Sequence, residues 1–241
     1  MEFVDMEIAE GWVFATRPYG YDHTDHDVLC ELWQRNDYGV RDKEDINVVV
    51  DIGGNIGAFS LLICCLYPQS RVITYEPEPE NYEVLTENIR RLDHRHQIEP
   101  HNEAVWSSMG EVIISPGGSG GRGAGGGSFA HLGMTVHVCD GDPDSPSSIC
   151  YNAQCRGTPM SVPSVTLDSI LAVLPQVDIL KIDAEGAEHE MLAKASIDNV
   201  RYLVLEFHDV RGPGSQERLW NKLIETHDMK KLNHVWQGEH L

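Results

Sequence analysis

An acid, three glycines and an asparagine stand together in Asp51-Ile52-Gly53-Gly54-Asn55-Ile56-Gly57. They end a continuous apolar run, Asn47-Val48-Val49-Val50, and precede a helical stretch, so they mark a strand-to-helix turn. Bare glycines let such a turn approach a ligand without a Cβ clash, and the first amides of the helix are free to donate. The dinucleotide pattern G-x-G-x-x-G is absent. The acid Asp51 suits a ligand bearing an ammonium group better than one bearing a pyrophosphate. A second acid, Glu76, follows another apolar run roughly 20 to 25 residues beyond the first glycines, where a carboxylate can accept hydrogen bonds from both hydroxyls of a ribose. Pro77-Glu78-Pro79 comes next, and prolines fit a first helical turn, whose amides have no intrahelical partner.

The elements that must hold these residues alternate strand and helix. Asn47 to Ile52 reads as a buried parallel strand, Gly57 to Leu66 as a helix stopped by Pro68, and Arg71 to Tyr75 as a second strand. Pro79 to Leu92 carries Tyr82, Leu85, Ile89 and Leu92 at helical spacing. After an interruption the spacing predicts a helix over Thr166 to Leu174, a strand over Val177 to Ile182 and a helix over Glu185 to Ala195. A strand over Arg201 to Phe207, a helix over Gln216 to Thr226 and a last strand over Met229 to Trp236 follow. The fold class is therefore α/β, a mostly parallel doubly wound sheet. Residues 1–46 read as an N-terminal helical cap, with His23 to Arg35 as its helix, and 47–241 as the main domain. An insertion around 115–160, rich in glycine and serine, reads as flexible; Met134 to Val138 within it alternates like a strand that pairs with Glu111 to Ser115.

Composition narrows the partners. With 241 residues the chain can bury a sizeable core, and its 41% hydrophobic share is that of a globular protein. A formal net charge of −20 opposes nucleic acid as a partner, and Arg90-Arg91 and Lys230-Lys231 are ordinary pairs rather than a basic patch. No apolar run reaches the roughly 18 residues of a membrane span, and the acidic start Met1-Glu2-Phe3-Val4-Asp5 does not resemble a signal peptide. The expectation is a cytoplasmic protein with no membrane partner. Six cysteines, Cys30, Cys64, Cys65, Cys139, Cys150 and Cys155, include no C-x-x-C pair and read as free thiols rather than a zinc site.

Five blocks resemble the FkbM-type methyltransferase family. They are Val50 to Ser60; Val72 to Asn81 with Leu85 and Asn88; Asn102 to Trp106; Thr166 to Ile170; and Asp178 to Glu188, of which Lys181-Ile182-Asp183-Ala184-Glu185-Gly186-Ala187-Glu188 is the most diagnostic. They lie in the family's order from Val48 to about Phe207. The resemblance implies a Rossmann-like class I methyltransferase fold, S-adenosylmethionine as cofactor, and O-methylation of a hydroxyl on a sugar or small natural product. It implies that Asp51, Gly53, Gly54, Asn55 and Gly57 cradle the methionine part, that Glu76 takes the ribose, and that Asn102 or Glu103 lies near the adenine. The family's usual alanine is replaced by Gly54. The chain also ends soon after Trp236, where this fold normally carries a two-stranded hairpin, so the expectation is that the last strand is missing, that an insertion supplies it, or that the chain is a fragment of something longer.

A hydroxyl acceptor needs a base, and Asp183, Glu185 and His208 stand at or just past strand ends, where such folds place ligands. Glu188 and Glu190 read as solvated helix residues. A divalent cation held by Asp183, Glu206 and Asp209 is the less favoured route, so no metal site is assigned. Two other functions compete: a catalytically silent module that binds the cofactor or a partner, and an NAD-dependent oxidoreductase.

Overall fold

The computed structural model describes residues 2–18, 24–94, 96–115, 135–137, 160–184, 186–207, 215–232 and 235–241. The chain opens with an antiparallel hairpin, β1 (Val4–Ala9) and β2 (Trp12–Thr16), turning at Gly11. A short helix α1 (Thr24–Leu29) follows and widens into a π-helical turn, Cys30–Arg35, which Asn36 ends in a left-handed conformation. The N-terminal segment is therefore half strand. Met6 and Ile8 alternate with Asp5 and Glu7, a period of two that the dominant helical spacing of the next segment masks.

The core is β3 (Val48–Ile52), α2 (Ala58–Leu66), β4 (Arg71–Tyr75), α3 (Pro79–Arg91) and β5 (Ile98–His101). It is completed by β6 (Ala104–Trp106), β7 (Gly110–Ser115), β8 (Thr135–His137), β9 (Met160–Thr166), α4 (Leu167–Leu171), β10 (Val177–Ile182), α5 (Glu188–Lys194), β11 (Val200–Glu206), α6 (Ser215–Leu223), β12 (His227–Leu232) and β13 (Val235–His240). Seven strands form one sheet in the order β12-β13-β11-β10-β3-β4-β5. Its five strands from β11 to the β5 edge are parallel, as continuous apolar runs between helices require. The terminal hairpin β12-β13 is complete and antiparallel, correcting the expected missing strand. The stretch from Met229 to Trp236, expected as one strand, belongs to two that pair antiparallel, β12 and β13. A second sheet, β6-β9-β7-β8, includes the predicted pairing of β7 with β8.

Helix boundaries follow their capping chemistry. Glu78 caps α3 by accepting the Asn81 N–H at 2.6 Å, with Pro79 in the first turn and Arg90 and Arg91 in the last. Thr166 caps α4 through the Ser169 N–H at 3.1 Å. By contrast, α5 begins at Glu188, three residues later than its sequence pattern suggests.

Strand alternation decides what faces the site. In β3, Val50 and Ile52 point to the core on the α4–α5–α6 side, and Val49 points to the opposite core beneath α2 and α3. Asp51 shares the side of Val49. In the neighbouring strands the same parity places Thr74, Lys181 and Glu206 on that side, since Asp51 pairs in register with Thr74 and with Lys181. Four polar side chains thus gather at the carboxyl ends of four adjacent strands. Among the described residues no helix is long and apolar enough to cross a membrane.

Candidate active site

The glycine turn leaves β3 with its backbone pressed against the start of the next loop. A Cβ on Gly53 would stand 1.8 Å from the Asp183 carbonyl oxygen, and its φ of +80° is one that other residues resist. Gly54 is equally hemmed in: a Cβ there would meet Thr74 Oγ1 at 2.3 Å and the Leu85 side chain at 2.8 Å. The space that an alanine methyl would need at position 54 is filled by Thr74 and Leu85. Gly57 then opens α2, accepting the Leu61 N–H at 3.0 Å.

Asp51 and Lys181 hold this turn from below. Asp51 is wholly buried and accepts hydrogen bonds from Ser60 Oγ at 2.7 Å and, weakly, Thr74 Oγ1 at 3.4 Å. Lys181 Nζ lies 3.1 Å from Asp51 Oδ1 and donates to the carbonyls of Ile52 at 3.2 Å and Gly53 at 2.5 Å. Burial works against the ammonium, but Asp51, Asp183 and Glu206 outweigh it and hold Lys181 above its ordinary pKa. Asp51 does not line the cavity above the turn, in contrast to the role expected from its position. A lysine among the apolar residues Ile179, Leu180 and Ile182 of β10 is the sequence signal for this pair.

That cavity, partly open to solvent, is lined by Gly53, Gly54, Asn55, Asp183, Glu206 and Lys181. The N-terminal segment closes it with Arg17, Leu32 and Tyr38. Asn88, fully buried, ties that cover down: its amide donates to the carbonyls of Ala15 and Ile56, and its oxygen accepts the Ala15 N–H at 2.6 Å. Arg17 spans the entrance, paired with Asp25 and donating to Asn81 Oδ1 at 2.8 Å.

Asn55, in a left-handed conformation, donates its N–H to Glu76 Oε2 at 2.7 Å; its own Oδ1 is buried without a hydrogen-bond partner among the described residues. Glu76 also accepts from the Glu78 N–H at 2.9 Å and from the Asn81 amide at 3.3 Å. Burial lifts its pKa to about 7, although these donors pull the other way. Three of the roughly four acceptor positions of the carboxylate are taken, and Glu76 itself is buried beside the cavity's Asn55 and Asn81 rather than lining it. Asn102 donates to the carbonyls of Glu76 and Pro77 at 2.8 and 3.1 Å and so fixes the loop after β4, while Glu103 stands 3.5 Å from His101. Neither lines the cavity.

Asp183 and Glu206 converge on Tyr38, whose hydroxyl lies 2.9 Å from Asp183 Oδ2 and 3.1 Å from Glu206 Oε2. Tyr38 was not anticipated; it comes from the cover, 145 residues from Asp183 and 168 from Glu206, so no local motif links them. Glu188 also departs from expectation: it is fully buried and accepts the Ala184 N–H at 3.0 Å, stabilising the turn below Asp183. Glu185, His208 and Asp209 lie outside the described residues, as do Cys139, Cys150, Cys155 and most of the 115–160 insertion. Among the described residues no group of three or more His, Cys, Asp or Glu side chains could hold a metal ion.

Residues 51–232 match the family model described as the Methyltransferase FkbM domain. The hexuronic acid methyltransferase AglP of Haloferax volcanii is 23% identical over 198 residues, covering 80% of this chain and 70% of that protein. Methyltransferase 1 of Beauveria bassiana is 26% identical over 194 residues, covering 73% and 70%. Among solved structures, a putative rRNA-methylase from Clostridium thermocellum aligns with a TM-score of 0.49 at 8% identity, covering 86% of this chain and 94% of that chain. With the family model spanning well over half of its length, the chain belongs to the FkbM methyltransferase family.

Proposed function

We propose that the cavity binds S-adenosylmethionine and that the chain transfers its methyl group to a hydroxyl of a sugar or small natural product. The observation that carries this reading is the set of residues gathered in one cavity. Gly53, Gly54 and Asn55, whose Oδ1 is orphaned, line it together with Asp183 and Glu206. A ligand with an ammonium donor and a sulfonium charge suits these acceptors; a pyrophosphate would be repelled by the carboxylates, which disfavours the NAD-dependent alternative.

The residues present fit this cofactor. The turn from Gly53 to Gly57 would hold its amino-acid end, with Asn55 Oδ1 accepting from the ammonium, and Asp51 would act from beneath by fixing the turn. Glu76 would accept from the ribose, and Asn102 and Glu103 would border the adenine side. The cofactor supplies an electrophilic methyl group; the chain orients the acceptor and removes its proton. Asp183 is the base we favour, ahead of Glu185 and His208, because its carboxylate lines the cavity. The name of the Haloferax relative supports a sugar acceptor, and the charge of −20 argues against nucleic acid.

The test is label transfer from methyl-labelled S-adenosylmethionine to a panel of sugars, uronic acids and hydroxylated metabolites. Wild type is expected to label at least one acceptor, and Asp183→Asn to be about 10²–10⁴-fold slower. Cofactor binding without label transfer to any acceptor would favour the silent module, and Asp183→Asn at wild-type rate would remove Asp183 as base.

A further inference from the structure

A phenol has one proton to give, and Tyr38 stands between two acids. Its hydroxyl contacts Asp183 Oδ2 at 2.9 Å and Glu206 Oε2 at 3.1 Å. It can donate to only one at a time. The other contact becomes a hydrogen bond only if that carboxyl is protonated and donates to the phenolic oxygen. With both acids ionised the cluster holds one good bond and one lone pair facing a carboxylate. With one further proton it holds two good bonds. The arrangement is therefore more complete after a proton has arrived than before.

We propose that Asp183, Tyr38 and Glu206 form one proton-accepting unit for the acceptor hydroxyl, with Tyr38 the positioning residue that shares the captured proton with Glu206. The proposal rests on the methyl-transfer reading of the cavity. The acceptor's O–H bond breaks and its electron pair stays on oxygen. The proton bonds to a lone pair of Asp183, which then donates to the Tyr38 oxygen as the Tyr38 hydroxyl turns to Glu206. Tyr38 gains and loses no net proton. Asp183, a quarter exposed, returns the proton to water after turnover.

The surroundings fit this division of labour. Tyr38 is held by Gln237 Nε2, which donates to its carbonyl at 2.7 Å, and its ring packs 5.8 Å from that of Phe59. Burial, with Asp183 and Glu206 close by, holds the phenol well above its usual pKa, so it stays protonated throughout. Among the described residues the charged groups around the unit are paired: Lys181, 3.9 Å from Asp183 Oδ2, with Asp51; Arg17 with Asp25; and Glu31 with Arg35 at 2.9 Å.

The test follows the carboxyl carbons by ¹³C NMR through a pH titration of the full chain without ligand. Signals are assigned with Asp183→Asn and Glu206→Gln. In wild type, one titration is expected to appear at both the Asp183 and Glu206 carbons. Tyr38→Phe should separate it into two and lower the proton affinity of the pair about two- to tenfold, the effect of one net hydrogen bond. Replacing Tyr38 with 3-fluorotyrosine keeps its shape and makes the phenol more acidic; it should shift the shared titration, which a purely structural tyrosine would not do. Independent titrations in wild type, unmoved by either substitution, would overturn the proposal. Thermal unfolding of each variant guards against misfolding. Calorimetry with S-adenosylmethionine separates the two claims: no binding with shared titration intact overturns the reading of the cavity and leaves the proton unit standing.

Discussion

Replacing Lys181 with methionine strands a carboxylate where water does not reach. Asp51 is wholly buried, and its cation is the Lys181 ammonium 3.1 Å away. Ser60 and Thr74 stay as hydroxyl donors, at 2.7 and 3.4 Å, but neither carries charge. The Ile52 and Gly53 carbonyls lose their donor as well. Removing one partner of a buried ion pair costs about 3–5 kcal/mol. Set against a domain stability of ~5–15 kcal/mol, that is a large share. For a chain of this size the melting temperature should fall by about 6–20 °C. The assay is urea unfolding followed by circular dichroism, with the slope checked against wild type. Asp51→Asn removes the stranded charge, so the double variant Asp51→Asn/Lys181→Met should lose less than the sum of the single variants, by ~1–3 kcal/mol. A Lys181→Met loss below about 1 kcal/mol, or strict additivity, would refute the idea that this pair anchors the turn.

Three further outcomes are expected. Gly54→Ala, which installs the residue usual in the family, should cost ~1–3 kcal/mol because its methyl meets Thr74 and Leu85; Thr74→Ala in the same chain should recover part of that, read by thermal unfolding. Glu76, lifted to about 7 by burial, must be ionised to accept ribose hydroxyls. S-adenosylmethionine affinity measured by calorimetry should therefore be flat above pH 7, weaken up to about tenfold per pH unit below it, and lose this dependence in Glu76→Gln. Asn88→Ala leaves buried backbone groups of Ala15 and Ile56 without partners, at ~1–3 kcal/mol, and should speed hydrogen exchange in β2 before it does so in β3.

The sheet and the turn were legible because their signals are local. Runs such as Val48 to Ile52 and Val177 to Ile182 can only be buried strands, and Arg71 to Tyr75 was placed to the residue. The pairing of β7 with β8 was readable from alternation even across a glycine-rich stretch. What stayed hidden depends on partners distant in sequence. Tyr38 looks like any loop tyrosine until the cover folds onto Asp183 and Glu206. Glu188 looks like a solvated helix residue until the Ala184 amide claims it. Asp51 looks like a ligand-facing acid until strand parity sets it against Lys181.

Calorimetric titration of the purified chain with S-adenosylmethionine and, separately, with NAD decides whether the cavity is a methyl-donor site. Micromolar binding of S-adenosylmethionine is expected, much weakened in Glu76→Ala, and none of NAD. A folded protein that ignores S-adenosylmethionine, or takes NAD in its place, would contradict it.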